Sequence, residues 1–261
     1  MLRLAAIRVV HTDPVTSLDL RRARVFGNFA QDCDRWRPGY PPIAIDWLVP
    51  PNAARIADVG AGTGKLTGLL LGRGLQVVAV EPDADMLAVL AANFPGVKAE
   101  QAGAENLPLD DASVDAVLVG QAWHWFDHEL ALAEAQRVVR PGGWLGLIGN
   151  TAFPRTAWQL ELARLDPDSA GRTFDEEGEE WEPPGLTGCV VESDEFSWQE
   201  ELTAPGLRAR LATHSAYALM ADDEREHSLD EAAAVLTREM TRSGSPVVLF
   251  DHVAYCARVR F

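Results

Sequence analysis

The sequence is poor in cysteine. Its three cysteines, Cys33, Cys189 and Cys256, lie far apart and form neither a CxxC pair nor a Cys/His ligand spacing. This pattern excludes a disulfide framework and a zinc site, and it fits a reducing cytoplasm. Most histidines are also scattered without ligand spacing, so we expect no metal. We assign no chemistry to the following histidines: His11, His128, His214, His227 and His252.

Long apolar runs and positive charge are scarce as well. No segment reaches the roughly 18 apolar residues of a membrane span, and residues 1–10 lack the pattern of a cleavable signal. With 23 Lys and Arg against 39 Asp and Glu, the formal net charge is -16. Such a surface repels nucleic-acid phosphates and anionic membranes. We therefore predict a cytoplasmic protein without nucleic-acid or membrane partners, either a monomer or a homodimer.

Between residues 53 and 150 the chain alternates between strand-like and helix-like segments. Its hydrophobic share of 47% is enough for a sizeable core. Short runs of Val, Ile, Leu and Ala alternate with stretches of helical spacing, which predicts βαβ units and a parallel sheet. The predicted strands are 55–59, 76–80, 97–101, 114–119 and 144–148, and the predicted helices are 66–73, 84–94 and 129–139, with Pro141-Gly142-Gly143 ending the last helix.

The later part of the chain has a different organisation. Residues 167–188 are rich in Asp, Glu, Gly and Pro, which favours an acidic insertion or flap. The residue pattern predicts a strand at 189–198 and helices at 205–214 and 229–242. It predicts an extended segment at 247–261. We predict a helical segment or lid at 1–52 and one α/β domain at 53–261 that contains the acidic insertion.

A glycine-rich turn is the most informative motif. Residues 58–64 read Asp-Val-Gly-Ala-Gly-Thr-Gly, follow a predicted strand and open a helix, so their backbone amides can approach a ligand at a helix N-terminus. Glu81 ends the next strand, 21 residues after Gly60, where a carboxylate can accept hydrogen bonds from both ribose hydroxyls. The two features predict an adenosine-containing ligand. The GxGxG spacing fits a dinucleotide less well than GxGxxG would.

These motifs, with Glu81-Pro82 and Pro141-Gly142-Gly143, resemble those of class I S-adenosylmethionine-dependent methyltransferases over residues 26–150. The resemblance implies a doubly wound, Rossmann-like α/β fold. Its seven-stranded, mostly parallel sheet would have an antiparallel last strand and helices on both faces. It also implies S-adenosylmethionine as cofactor, with Gly60 and Gly62 under the methionine part and Glu81 on the ribose.

Three further segments resemble the small-molecule branch that contains trans-aconitate methyltransferases: 37–41 (RPGYP), 104–108 (AENLP) and 121–127 (QAWHWFD). This narrower resemblance implies adenine near Ala104 and Glu105, and Gln121 beside the sulfonium. Gly103 stands where relatives often have a polar side chain, so Glu105 or water would serve the adenine amine. The expected cofactor-binding residues are Arg37, Asp58, Gly60, Ala61, Gly62, Thr63, Glu81, Pro82, Met86, Ala104, Glu105 and Gln121.

The acceptor side is less defined by the sequence. Methyl transfer from a sulfonium is an in-line displacement that chiefly needs positioning, and a base helps only when the acceptor is not already ionised. His124 is the candidate base, but it fits a structural role equally well. Trp123 and Trp125 can form a pocket wall or the core. Arg37 can pair with the methionine carboxylate or an acidic substrate, or form a surface salt bridge, and Tyr40 would help to close the site.

The resulting hypothesis is a methyltransferase for a small-molecule acceptor at oxygen, either carboxylate or hydroxyl, and less readily at nitrogen or carbon. One alternative keeps the fold and the ligand but has a binding, regulatory or different catalytic role. Another is an NAD-dependent oxidoreductase, which only the generic glycine turn and acid support.

Overall fold

The computed structural model describes residues 30–167 and 183–261, which form an α/β domain around a seven-stranded sheet. Residues 1–29 and 168–182, with most of the predicted acidic insertion, lie outside the described residues. The strands are β1 Arg55–Val59, β2 Gln76–Val80, β3 Lys98–Glu100, β4 Val114–Gly120, β5 Val139–Ala152, β6 Val191–Leu202 and β7 Val248–Arg260. Their order in the sheet is β3-β2-β1-β4-β5-β7-β6.

Nine α-helices are described around this sheet. They are α1 Ala30–Trp36, α2 Pro42–Leu48, α3 Lys65–Leu71, α4 Ala84–Asn93, α5 His128–Val138, α6 Ala157–Leu165, α7 Ala204–Ala212, α8 Ser215–Ala218 and α9 Asp222–Ser243. A short 3-10 helix, Trp123–Trp125, follows β4. Within the described residues, no helix is long and apolar enough to cross a membrane, and no group of three or more acidic, His or Cys side chains is arranged to hold a metal ion.

The strand directions confirm the predicted fold class. The strands β1 to β5 run parallel, and β7 runs antiparallel between β5 and β6. Adjacent strand residues belong to different core clusters, as Ala57 packs in one and Ile56 in another. Helix α5 covers the first cluster, whereas α2 and α3 cover the second. Because neighbouring side chains of a strand point to opposite faces, helices lie on both faces of the sheet.

Strand β5 is the largest departure from the expected elements. It begins at Val139 rather than Trp144 and continues to Ala152. Pro141-Gly142-Gly143 lies inside it, where Val139 pairs with Val114 and Trp144 with Ala116, so the intervening residues bulge out. Gly142 has a φ of 86° there, a conformation that glycine adopts readily. Helix α6 was not predicted, and α9 begins seven residues earlier than expected because its first turns are acidic rather than apolar.

The described part of the predicted lid consists of two different helices. Helix α2 belongs to the core: Ile45 and Leu48 are fully buried, and the Trp144 indole donates a hydrogen bond of 2.7 Å to the Leu48 carbonyl. Helix α1 instead packs against α7 and α4, away from the centre of the sheet. Among the described residues of the predicted lid, α2 is therefore part of the core and α1 is not, and the lid role stays a prediction.

Strands β5, β7 and β6 extend past the carboxyl end of β4. The last parallel pair joins Gly120 of β4 to Ile148 of β5, but β5 continues to Ala152, which pairs with His252 of β7. Four residues of strand span about 13 Å. We call this part of the sheet, residues 149–152 with 248–255 and 195–202, the overhang. It stands beside the edge where ligands bind in open α/β sheets.

Candidate functional site

The glycine turn between β1 and α3 is closely packed on one side and open on the other. Gly60 has a φ of 69°, and a Cβ there would lie 2.5 Å from the Ala122 Cβ and 3.0 Å from the Phe126 ring. Gly62 has a φ of 56° with nothing within 4 Å of a Cβ. Glycine at position 60 is thus required by both conformation and space. At Gly62 it leaves open room beside a backbone amide, which is what a bound molecule needs.

Glu81 is held against this turn. Its carboxylate accepts hydrogen bonds from the Gly62 amide at 2.8 Å and the Asp83 amide at 3.0 Å, one at each oxygen. Burial raises the pKa of Glu81 in spite of these two bonds, because the side chain is only 8% exposed. A carboxylate oxygen has two acceptor positions. Each oxygen therefore retains one for a ribose hydroxyl, so the residues present fit the predicted adenosyl group.

Asp58 lies beneath the same turn at the end of β1. It is 1% exposed and accepts a hydrogen bond of 2.6 Å from the Thr67 hydroxyl. Burial raises the pKa of Asp58 to about 7, and the nearby Glu81 adds to the rise, although the bonds from Thr67 oppose it. Two buried carboxyl groups at one turn strongly favour a cation beside them. The methionine part of the predicted cofactor has such a cation in its ammonium group.

The residues expected on the adenine side lie next to Gly103 and the segment after β4. Glu105 accepts a hydrogen bond of 3.0 Å from the Asp127 amide, and its other oxygen is 2.7 Å from where a Cβ of Gly103 would be. The carboxylate thus occupies the space above Gly103, which supports its expected use in place of a side chain at 103. Ala104 is buried in the core beside it.

The remaining turn and strand-end residues have the following positions. Ala61 and Thr63 are buried under the turn, and Met86 is buried against Ala30 and Cys33 of α1. Pro82 is exposed, and its carbonyl accepts a hydrogen bond from Gln101.

Gln121 begins a hydrogen-bonded chain that leads from β4 to the overhang. It has a φ of 58°, and its side-chain amide donates to the Asn150 carbonyl at 2.8 Å. The Asn150 amide donates to the Gly39 carbonyl at 2.6 Å, and the Trp198 indole donates to Asn150 Oδ1 at 3.3 Å. Asn150 therefore connects β4, the overhang and the segment that follows α1.

Tyr40 and Arg37 fix the segment after α1 over this region. The Tyr40 hydroxyl lies 2.6 Å from where a Cβ of Gly120 would be, so only glycine fits below it. Arg37 donates to the Thr213 carbonyl at 2.7 Å and to its hydroxyl at 3.3 Å. Burial, with the nearby Arg37 and Arg210, lowers the pKa of His214 to about 3, so its imidazole is neutral. Sequence alone related none of these α7–α8 residues to Arg37.

The aromatic segment after β4 has both buried and exposed members. Trp123 is 6% exposed, packs in the core and donates its indole N–H to the Pro184 carbonyl at 2.8 Å. Trp125 is half-buried, and His124 is exposed with its ring 4.5 Å from that of Trp125. Packing accounts fully for Trp123. The roles expected for His124 and Trp125 at the acceptor side remain predictions.

Sequence reasoning missed an ion pair between a half-buried carboxylate of the overhang and a buried arginine. Glu200 of β6 contacts Arg210 of α7 in an ion pair, and its Oε1 lies 3.3 Å from His252 Nε2. The Arg210 guanidinium also donates to the Trp36 carbonyl at 3.0 Å. These residues come from parts of the chain that strand pairing brings together. No signal in the sequence indicated this contact, because the strand that contains Glu200 has acidic residues along most of its length.

The sequence matches known methyltransferases. Residues 57–147 match the family described as a methyltransferase domain. An uncharacterized methyltransferase of Mycobacterium tuberculosis is 41% identical over 233 residues, which cover 89% of this chain and 94% of the relative. A malonyl-[acyl-carrier protein] O-methyltransferase of Methylococcus capsulatus is 39% identical over a shorter region, 43% of this chain and 42% of the relative.

A solved structure from Anaeromyxobacter dehalogenans, described provisionally as a type II methyltransferase, has the same fold with a TM-score of 0.62. It is 24% identical and covers 86% of this chain and 97% of its own. The full-length match to the mycobacterial relative shows the family, and the glycine turn, Glu81 and the sheet order agree with it. The chain is therefore an enzyme that belongs to the class I S-adenosylmethionine-dependent methyltransferases.

Proposed function

We propose that this methyltransferase transfers the methyl group of S-adenosylmethionine to an oxygen of a small-molecule acceptor. The observation that supports the donor half is the open space at Gly62 next to the buried Glu81 carboxylate, which accepts a hydrogen bond of 2.8 Å from the Gly62 amide. Gly60, Ala61 and Thr63 would form the turn under the cofactor. Asp58 would supply a second carboxyl group for the ammonium group of its methionine part.

The same proposal assigns the remaining donor contacts along the strand ends. Glu105, above Gly103, would receive the adenine amine, with Ala104, Pro82 and Met86 around the nucleoside. Gln121 would lie beside the sulfonium, because it follows β4 next to the glycine turn and is oriented by Asn150. Arg37 is fixed to Thr213 near the methionine end, where a guanidinium suits a carboxylate.

The acceptor would lie between the segment after α1 and the overhang. Tyr40, Trp125 and the exposed His124 border this region from the chain after α1 and from the chain after β4, and the overhang closes it from the other side. The Methylococcus relative supports oxygen as the methylated atom, since its printed activity is O-methyl transfer. The trans-aconitate-like branch and a lid role for α1 remain parts of this proposal.

The chemistry requires little from the protein beyond placement. The bound cofactor supplies an electrophilic methyl on sulfur, which leaves as the methyl of the product when an acceptor oxygen attacks in line. The protein has to hold the two reacting atoms at contact distance and exclude water. The bonds of Asn150 to Gly39 and of Arg37 to Thr213 fix the covering segment, so these contacts serve positioning.

The test is methyl transfer from radiolabelled S-adenosylmethionine to a panel of small carboxylates, phenols and alcohols, with S-adenosylhomocysteine binding measured by calorimetry in parallel. We expect transfer to oxygen acceptors. Transfer only to nitrogen or carbon acceptors would contradict the oxygen assignment, and tight NAD binding without S-adenosylhomocysteine binding would contradict the donor site.

Glu81→Ala tests the donor site directly. Because one charge-assisted hydrogen bond from a ribose hydroxyl is worth about 1.5 to 3 kcal/mol, the loss of even one should weaken S-adenosylhomocysteine binding by roughly 10- to 200-fold. The matched control is Asp85→Ala, which removes an exposed carboxylate from the first turn of α4 and should leave affinity unchanged. An unaltered affinity for Glu81→Ala would contradict the assignment of the ribose to this carboxylate.

A further inference from the structure

Helix α1 is too short to keep its position by itself. It has seven residues, and an isolated helix of this length is not stable in water, so its place depends on what it contacts. The last carbonyls of a helix also lack partners within the helix. The Cys33 carbonyl accepts from the Arg37 amide at 3.2 Å. The carbonyls of Asp34 and Trp36 instead accept from cationic side chains of two other helices.

The two cations come from different parts of the proposed site. The Lys65 ammonium donates to the Asp34 carbonyl, and Lys65 is the residue at which α3 begins after the glycine turn. The Arg210 guanidinium of α7 donates to the Trp36 carbonyl at 3.0 Å. Cations are favourable at the C-terminal end of a helix, where the backbone dipole is negative. The end of α1 is therefore held between the donor turn and α7.

Further contacts join α1 to the donor side. The Asn93 amide at the end of α4 donates to the Asp34 carboxylate at 3.0 Å. Met86, which we expect beside the nucleoside, is buried in a cluster with Cys33. Arg37 follows α1 directly, and the proposed function assigns it to the methionine carboxylate. The position of α1 therefore determines where Arg37 stands relative to the cofactor.

Lys65 occupies a place that is unfavourable for a lysine. It lies in the first turn of α3, where the helix dipole disfavours a cation. The side chain is half-buried, and burial lowers the pKa of Lys65, which the nearby Asp34 opposes only in part. What the ammonium gains at this place is the bond to the end of α1. This balance indicates that attachment of α1 is the role of Lys65.

We propose that Lys65 is a positioning residue that attaches α1 to the donor turn and thereby places Arg37 against the methionine part of the cofactor. This inference rests on the proposed function, to which the cofactor contact of Arg37 belongs. Asp34 and Arg37 are three residues apart, about one helical turn. A cofactor that binds Arg37 favours the attached position of α1, and attachment of α1 strengthens cofactor binding to the same degree. Lys65 acts through Arg37 and not by contact with the cofactor.

The lysines of the chain make this attachment measurable in the wild-type protein. Lys65 and Lys98 are the only two, and Lys98 is exposed and pairs with Glu100. Acetylation by N-hydroxysuccinimide acetate, followed for each lysine by peptide mass spectrometry, reports how often the Lys65 ammonium leaves the Asp34 carbonyl. We expect saturating S-adenosylhomocysteine to slow acetylation of Lys65 by roughly 5-fold or more, within the usual range of coupling between sites, and to leave Lys98 unchanged. An equal rate for Lys65 with and without bound S-adenosylhomocysteine would refute the proposal.

Arg37→Met separates action through α1 from direct contact with the cofactor. In this variant the cofactor has lost its contact with the chain after α1, so saturating S-adenosylhomocysteine should no longer slow acetylation of Lys65. If Lys65 stayed protected in Arg37→Met, Lys65 would contact the cofactor itself, and its role as a positioning residue would be overturned.

Lys65→Met measures the size of the coupling. We expect its S-adenosylhomocysteine affinity, measured by calorimetry, to fall roughly 5- to 20-fold, while the matched control Lys98→Met keeps wild-type affinity. Unchanged affinity in Lys65→Met would refute the role of Lys65 and leave the donor site standing. A wild-type protein that binds no S-adenosylhomocysteine would refute the donor assignment as well. Because acetylation is followed in the wild-type protein, the test stays decisive if Lys65→Met fails to fold.

Discussion

The two ends of the sheet build their parts of the site in different ways. The donor half comes from β1, β2 and the turns after them, so that Asp58, Gly62 and Glu81 are close in the sequence and joined by backbone amides. The proposed acceptor half would come from the overhang, α7 and the segment after α1, where the bond from Arg37 to Thr213 joins residues 176 positions apart. Local turns suffice for the first half, whereas the second depends on long-range packing.

The difference is also one of charge. Around the donor turn, the buried ionisable groups are carboxyl groups, and both Asp58 and Glu81 have raised pKa values because burial disfavours their ionised forms. On the proposed acceptor side, the half-buried Glu200 contacts the buried Arg210, and its charged partners lower the pKa of Glu200 in spite of its partial burial. A donor with a positive charge would compensate the carboxyl groups of Asp58 and Glu81. Glu200 already has a compensating charge in Arg210, so we expect the protein to lose more stability when Arg210 is removed.

The largest effect should come from Arg210→Met, which leaves the half-buried Glu200 without its cation and removes the bond to Trp36. Breaking a buried pair by removal of one partner costs about 3 to 5 kcal/mol. Since the Arg210 side chain retains 10% exposure and Glu200 18%, we expect a loss near the lower end, about 3 kcal/mol, in the free energy of unfolding measured by denaturant titration.

Arg208→Met is the matched control because it lies on the same helix two residues earlier. Its guanidinium is 36% exposed and pairs with Glu226 and Asp230 at the surface, where ion pairs contribute about 0 to 1 kcal/mol. If the two variants lost the same free energy of unfolding, the contact between Arg210 and Glu200 would contribute no more to stability than a surface ion pair. If Arg210→Met bound S-adenosylhomocysteine as tightly as wild type, the donor half would be shown to bind its ligand independently of the Glu200–Arg210 contact.

A smaller loss is expected from Gly60→Ala in the donor half. The substitution adds a methyl group 2.5 Å from the Ala122 Cβ and places alanine at a positive φ. The left-handed conformation costs roughly 1 to 2 kcal/mol, and overpacking adds about 1 kcal/mol or more. The free energy of unfolding should therefore fall by about 2 to 3 kcal/mol, as measured by urea titration.

Gly62→Ala isolates the conformational part of that loss. Gly62 also has a positive φ, but nothing lies within 4 Å of an added Cβ. We expect a loss of about 1 kcal/mol only. Its donor affinity should fall more than its stability suggests, because the new methyl group enters the open space beside the amide. If Gly62→Ala were as unstable as Gly60→Ala, the close contact at Ala122 would not matter.

The same contrast explains what the sequence could predict. The turn at 58–64 and Glu81 were predictable because each feature depends on a few neighbouring residues and a fixed strand–helix spacing. The sequence predicted that Glu105 or water would serve the adenine amine, but it did not predict that the Glu105 carboxylate fills the space above Gly103. Parallel strands were also predictable, since their continuous apolar runs are buried on both faces.

The overhang was not predictable in the same way. The register that places His252 opposite Ala152 is set by packing between strands 100 positions apart, and no local pattern encodes it. Trp123 shows a related limit, since an apolar aromatic after a strand has the same pattern whether it faces a ligand or the core, and here the core contains it.

The smallest effect, Asp58→Asn, tests whether the donor turn sacrifices stability for binding. The pKa of Asp58 is about 7 in the folded protein and near 3.8 when unfolded, so between these values the folded state retains a proton that the unfolded state has lost. Stability from this group therefore falls as pH rises from about 4 to 7 and stays low above. Asparagine has no charge to bury and can still accept from Thr67.

A rise in pKa from 3.8 to about 7 corresponds to at most roughly 4 kcal/mol. We therefore expect Asp58→Asn to be more stable than wild type at pH 8 by about 1 kcal/mol or more, with a rise in melting temperature of about 2 °C or more and with the gain vanishing near pH 4. Thermal unfolding followed at both pH values measures it. Calorimetry should then show weaker S-adenosylhomocysteine binding, because the ammonium end loses a carboxylate. If the variant gained stability equally at both pH values, burial of the ionised Asp58 carboxylate would not be what destabilises the wild-type protein. The carboxyl groups of the donor turn would then be compensated by protein groups before any ligand binds, as Glu200 is by Arg210.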